Sequence, residues 1–148
     1  MICHEMIRSK SCFILQITRG KTLSYFAFAS KADSDNLTDF AKSGSWSMYD
    51  QEHINNGPKY KYKMPVRLVG ALGRLLDSKE LTEENRDKLT ELISKNVKKI
   101  IPIAASLNSP EIVQALFDFG FVNKKNEKAI RKLLEEHNLL ESGHKFIF

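Results

Sequence analysis

The sequence predicts an all-α fold, a short stack of antiparallel helix pairs of the α-solenoid kind, and three observations carry that expectation. From Met64 onward apolar residues recur at helical spacing, proline stands where helices begin, and glycine or asparagine stands between the apolar runs. The chain has 148 residues, enough for one continuous apolar core. Hydrophobic residues at 42% and charged residues at 28% fit a globular chain and exclude a disordered or fibrous one.

The first helix opens at Met64-Pro65 and runs to about Asp77, carrying Val66, Leu68, Val69, Leu72, Leu75 and Leu76 inward. Pro65 suits the first turn, where its missing N–H costs nothing. Gly70 and Gly73 inside the helix each cost up to about 1 kcal/mol against alanine. Close approach of another helix backbone is the expected compensation. After the polar stretch Asp77-Ser78-Lys79-Glu80, Thr82 starts a second helix, with Glu83 and Glu84 where they complement the positive end of its dipole. Its apolar face is Leu89, Leu92 and Ile93, while Arg86, Asp87, Lys88 and Glu91 face water. The chain then turns around Asn96.

A third, strongly apolar helix holds Val97, Ile100, Ile101, Ile103, Ala104, Ala105 and Leu107, and Pro102 is placed to kink or restart it. Ser109 and Pro110 read as the cap and first residue of a fourth helix with Ile112, Val113, Leu116 and Phe117 inward, and Gly120 as its stop. Asn123 caps a fifth, whose buried stripe is Ala129, Ile130, Leu133 and Leu134. Superposing Leu75, Asp77, Asn85 and Leu92 on Leu116, Asp118, Asn126 and Leu133 supports a repeated helix–cap–helix layout.

Upstream, Phe13 to Ile17 and Leu23 to Phe28, divided by Arg19-Gly20-Lys21, fit a β-hairpin on apolar and aromatic content. They also fit a helix pair. Continuity with the helical remainder, together with Ala27, Ala29, Ala32 and the run from Asp35 to Gly44, favours helices. Three segments follow: 1–44, apolar and part of the same stack; 45–63, an aromatic and basic loop; and 64–148, a helical-repeat domain.

Ala104-Ala105, Glu111 to Gly120 and Val122-Asn123 together resemble an ankyrin repeat. In that family paired alanines let two short helices pack closely, and glycine ends the second helix before a Val-Asn turn. Ala29, Leu37, Phe40 and Gly44 repeat the spacing faintly upstream. Lys99, Ile100, Ile101 and Pro102 stand where the family carries Thr-Pro-Leu-His. The resemblance implies a protein–protein interaction scaffold with a protein partner.

The formal net charge is +5, but its lysines are dispersed. Lys95, Lys98 and Lys99 lie together, while Lys124, Lys125 and Lys128 are mixed with Glu127, Glu135 and Glu136, as on a solvated face. The most concentrated binding candidates are Trp46, Tyr49, Lys59, Tyr60, Lys61, Tyr62 and Lys63, in the longest irregular segment. Aromatic and basic together, they suit base stacking with phosphate contact or a protein hot spot, so nucleic-acid binding is the alternative function.

Catalytic signatures are missing from the sequence pattern. Gly70-Ala71-Leu72-Gly73 sits in a helical pattern without the lysine of a phosphate loop. Glu83 and Glu84 are adjacent on a helix and point in different directions. Cys3, His4 and Cys12 lack zinc-ligand spacing, and His53, His137 and His144 are scattered. The expectation is therefore a non-enzyme without metal or cofactor. No apolar run approaches the roughly 20 residues of a membrane span, and Met1 to Lys10 fits a secretory signal poorly. Two cysteines in a chain of this size fit a reducing compartment, so cytoplasm is the expected location.

Overall fold

The computed structural model describes residues 2–9, 12–20, 22–28, 47–50, 54 and 63–140. The described residues are mostly helical, with one antiparallel sheet at the N-terminal end. Strands β1 (Ile2–Ser9), β2 (Cys12–Arg19) and β3 (Thr22–Phe28) form a meander in that order. A single helical turn, α1 (Ser47–Asp50), precedes five helices: α2 (Met64–Leu76), α3 (Glu83–Lys95), α4 (Val97–Ser106), α5 (Pro110–Asp118) and α6 (Glu127–Glu136). The chain divides into two compact units, residues 1–92 and 93–148.

The sheet corrects two expectations: residues 12–19 and 22–28 are strands and not a helix pair, and the fold is not all-α. Physically, the β-branched and aromatic content of Ile14, Ile17, Tyr25, Phe26 and Phe28, all buried, suits a pleated surface better than a helix. Gly20 adopts φ +59° in the two-residue link between the paired residues Arg19 and Thr22, and a positive φ is what a tight hairpin requires there. Ala29, Ala32 and the run from Asp35 to Gly44, which favoured helices, lie outside the described residues. Strand β1, in a segment expected to join the helical stack, carries an irregularity between Glu5 and Ile7 that breaks the alternation a regular strand would show.

In the first unit, α2 packs on β3 and β2. Val66, Leu68, Val69, Leu72 and Leu75 are buried, as the helical spacing predicts, and Leu76 is half-buried. Gly73 is explained by a strand rather than a helix: a Cβ there would stand 1.9 Å from the Tyr25 carbonyl oxygen. Glycine lets the helix lie directly on the backbone of β3, and that close packing offsets its poor helix propensity.

Helix α3 begins as its sequence indicates, with the Thr82 hydroxyl accepting the Asn85 N–H at 3.2 Å. The chain breaks at Asn96 for one residue and resumes as α4, which continues through Pro102 without stopping. Pro102 and Lys98, whose carbonyl it cannot pair with, are both exposed.

In the second unit α4 packs against α5 and α6. All three helices end in the same way. Asn108, Gly120 and Asn138 take φ of 50°, 79° and 58°. The N–H of the next residue reaches back in each case: Ser109 to Ala104, Phe121 to Leu116 and Leu139 to Leu134, at 3.0, 2.9 and 2.9 Å. These are Schellman caps, which use a left-handed residue to pair the last helical carbonyls. Ser109, Phe121 and Leu139 are buried just beyond them. The entry to α6 is equally well closed: Asn123 Oδ1 accepts the Lys125 and Asn126 N–H groups, and Asn126 Oδ1 accepts the Asn123 N–H at 2.8 Å. This reciprocal arrangement is an asparagine version of the capping box. Ser109 behaves differently from its expected cap role, because its hydroxyl donates to the Glu111 carboxylate at 3.1 Å instead of accepting a backbone N–H.

Candidate functional site

Two places concentrate chemistry: a buried polar cluster in the first unit and an exposed surface on the second. The first begins with Tyr49 on α1, whose ring is fully buried edge-on against Phe26 and Phe28 at 5.3 and 5.7 Å between centroids. Its hydroxyl accepts the Ala27 N–H at 3.0 Å and donates to the Ala27 carbonyl at 3.2 Å. Both polar groups of one residue turned the same way mean that Ala27 faces the free side of β3, opposite β2. Tyr25, two residues back, faces that side too, and its carbonyl meets Gly73. Tyr49 and α2 therefore close an edge that would otherwise be open to pairing.

Burial raises the Tyr49 phenol above its ordinary pKa; the Ala27 backbone hydrogen bond lowers it, Asp50 raises it and Arg74 lowers it, in descending order of effect. Beside it, Asp50 accepts a bidentate pair from Arg74: Nε to Oδ1 at 2.6 Å and Nη2 to Oδ2 at 3.0 Å. Both residues are buried. Arg74 also donates to the Asp77 carbonyl, and to the Lys79 carbonyl at 2.8 Å. It thus occupies carbonyls just past the end of α2, which helix geometry leaves unpaired. Ser24 Oγ donates to Asp77 Oδ2 at 2.9 Å, tying β3 to the same turn. Together these contacts join elements of the unit; Tyr49, Asp50 and Arg74 are buried, and Asp77 is half-buried.

Of the seven sequence-predicted site residues, the structure places Tyr49 in the core, where it offers no ring face to a ligand. Lys63 is exposed, in extended backbone just before α2. Trp46, Lys59, Tyr60, Lys61 and Tyr62 lie outside the described residues. Sequence reasoning also missed Asp50 and Arg74; an arginine in the middle of an otherwise apolar helix face was the available signal.

The register settles the cysteines. Cys12 pairs with Ser9 and Cys3 with Ile17, so the two stand near opposite ends of the β1–β2 hairpin. Six residues of strand put them about 20 Å apart, too far for a disulfide or a shared metal ion. Among the described residues no group of three or more His, Cys, Asp or Glu could hold a metal ion, and no helix is long and apolar enough to cross a membrane.

The second unit carries its chemistry outside. Phe119, 42% exposed, stands at the end of α5 with its ring 6.2 Å from that of Phe121, and Leu140 is the other large apolar residue at the surface among the described residues. Lys124, Lys125, Lys128 and Lys132 are exposed along the start of α6. No protein-family model, curated protein or solved structure matches this chain.

Proposed function

We propose that the chain is a non-catalytic interaction scaffold, in which the α4–α5 pair is an ankyrin-like unit and Phe119 is an anchor for a protein partner. The observation that carries this reading is Phe119 itself. At 42% exposed it is, with Leu140, one of two large apolar residues at the surface among the described residues. Here it sits at a turn fixed by the Gly120 cap and beside the ring of Phe121. A rigid aromatic surface residue costs little conformational entropy on binding and suits a hot spot. The paired alanines Ala104 and Ala105 and the Gly120 stop add support from the helix pair itself.

The test uses the full chain and Phe119→Ala as paired baits, with direct contacts read by cross-linking. The expected outcome is a protein cross-linked through the α5–α6 turn of the wild type, with about tenfold lower retention by the variant at unchanged helical circular dichroism. A partner set indifferent to Phe119 would overturn the assignment.

A further inference from the structure

Lys124, Lys125, Lys128 and Lys132 are all exposed, and none forms an ion pair with another described residue. Arg131 on the same helix is engaged by Glu127 at 4.0 Å. The turn holding Lys124 and Lys125 is already helical, since the Glu127 N–H bonds the Asn123 carbonyl at 2.8 Å. Lys124, Lys128 and Lys132 are thus successive i, i+4 neighbours on one side of the helix, about 6 Å apart along its axis. Lys125 lies one turn before Lys128 on the adjoining side. Glu135 and Glu136, in the last turn of α6, end the ridge.

Local energetics disfavour this arrangement. Like charges at i, i+4 repel, and lysines in a first turn oppose the helix dipole. The stability of the helix comes from elsewhere, through Ile130 and Leu134, both buried, and the Asn123–Asn126 capping pair. The Asn126 amide further donates to the Phe121 carbonyl at 2.9 Å, which anchors the ridge to the end of the preceding turn. Exposed cations at regular helical spacing, without an ion-pair partner among the described residues, complement a partner with regularly spaced negative charge.

We propose that the ridge Lys124–Lys128–Lys132, with Lys125 beside it, is a contact surface for the phosphates of a nucleic-acid strand. A phosphodiester chain carries one charge per nucleotide at a fixed repeat and so offers a phosphate to each successive lysine of the ridge, whereas competition by an acidic polypeptide is an outcome that the test below reads. The contact is to the backbone and carries no sequence preference.

The test measures fluorescence anisotropy of a labelled mixed-sequence single-stranded oligonucleotide with the full chain across a salt series. Four phosphate contacts predict a log–log salt slope of about −2.8, or about 50-fold weaker binding at 200 mM than at 50 mM salt. A triple variant, Lys124→Gln, Lys128→Gln and Lys132→Gln, is expected to flatten the slope by about 2. A control, Lys79→Gln, Arg86→Gln and Lys88→Gln, removes the same charge from exposed positions elsewhere and is expected to leave both slope and affinity unchanged. Equal loss in the control would mean a net-charge effect and would overturn the ridge. So would no binding by the wild type at low salt, or competition by polyglutamate or anionic vesicles as effective as by unlabelled oligonucleotide. Helical circular dichroism of both variants distinguishes lost contact from lost fold, and a Phe119→Ala chain that still binds the oligonucleotide separates this surface from the protein-binding one.

Discussion

The two units hold themselves together by different means. In the first, the decisive contacts join residues far apart in sequence: Tyr49 to Ala27, Arg74 to Asp50 and Ser24 to Asp77. In the second, the features that fix the helices are local, each Schellman cap and the Asn123–Asn126 pair closing within six residues of chain. Long-range polar contacts buried in a core are costly to break, because each lost partner leaves a desolvated group behind. A cap that fails is partly repaired by water. The first unit should therefore respond to single polar substitutions more strongly than the second.

The largest effect is expected at the ion pair. Asp50→Ala leaves the Arg74 guanidinium buried without its bidentate partner, and removal of one member of a buried pair costs about 3–5 kcal/mol. Urea unfolding, with hydrogen exchange of the Ala27 and Leu72 amides as the local readout, measures it. Adding Arg74→Met should recover part of the loss, since a buried pair replaced by apolar groups is far less costly than one half removed. A single variant losing under about 1 kcal/mol would show that water reaches the pair, contrary to its burial.

Tyr49→Phe comes next. It keeps the ring against Phe26 and Phe28 but orphans the N–H and carbonyl of Ala27, at a cost of about 1–3 kcal/mol near neutral pH. The difference depends on pH in a fixed direction. Because burial raises the folded-state pKa, the folded chain holds the phenolic proton more tightly than the unfolded chain. That contribution is fully present below the ordinary phenol value of about 10 and is lost as pH rises beyond it, by up to about 1.4 kcal/mol per unit. Wild type and variant should converge in unfolding experiments above that point. A gap that stays constant with pH would refute the assignment.

The same division explains what was legible in the sequence. Thr82, Pro110, Gly120 and Asn123 are visible as helix boundaries because their physics is local, and the structure has them as such. The strands were not separable from helices in the same way, since Tyr25, Phe26, Ala27 and Phe28 are all buried and give no alternation to read. Gly73 was visible as an anomaly, but only the fold reveals that a strand carbonyl occupies the missing Cβ. Tyr49 reads in the sequence as one of several loop aromatics, and its burial is not visible there because its partner is a backbone twenty-two residues away, a contact with no composition or spacing of its own.

The smallest effect is expected where the second unit looks most like an isolated helix end. Gly120 has φ +79° and nothing within 4 Å of the position a Cβ would take, so Gly120→Ala meets no steric obstacle. Its cost is conformational only, about 1–2 kcal/mol for an ordinary side chain in the left-handed region. Gly120→Asn should cost less, because asparagine already fills the equivalent position at Asn108 and Asn138. Helical circular dichroism during urea unfolding ranks the three chains, with glycine most stable, asparagine between and alanine least. Were alanine to cost as much as Asp50→Ala, the cap would be coupled to tertiary packing, and the second unit would share the long-range dependence of the first.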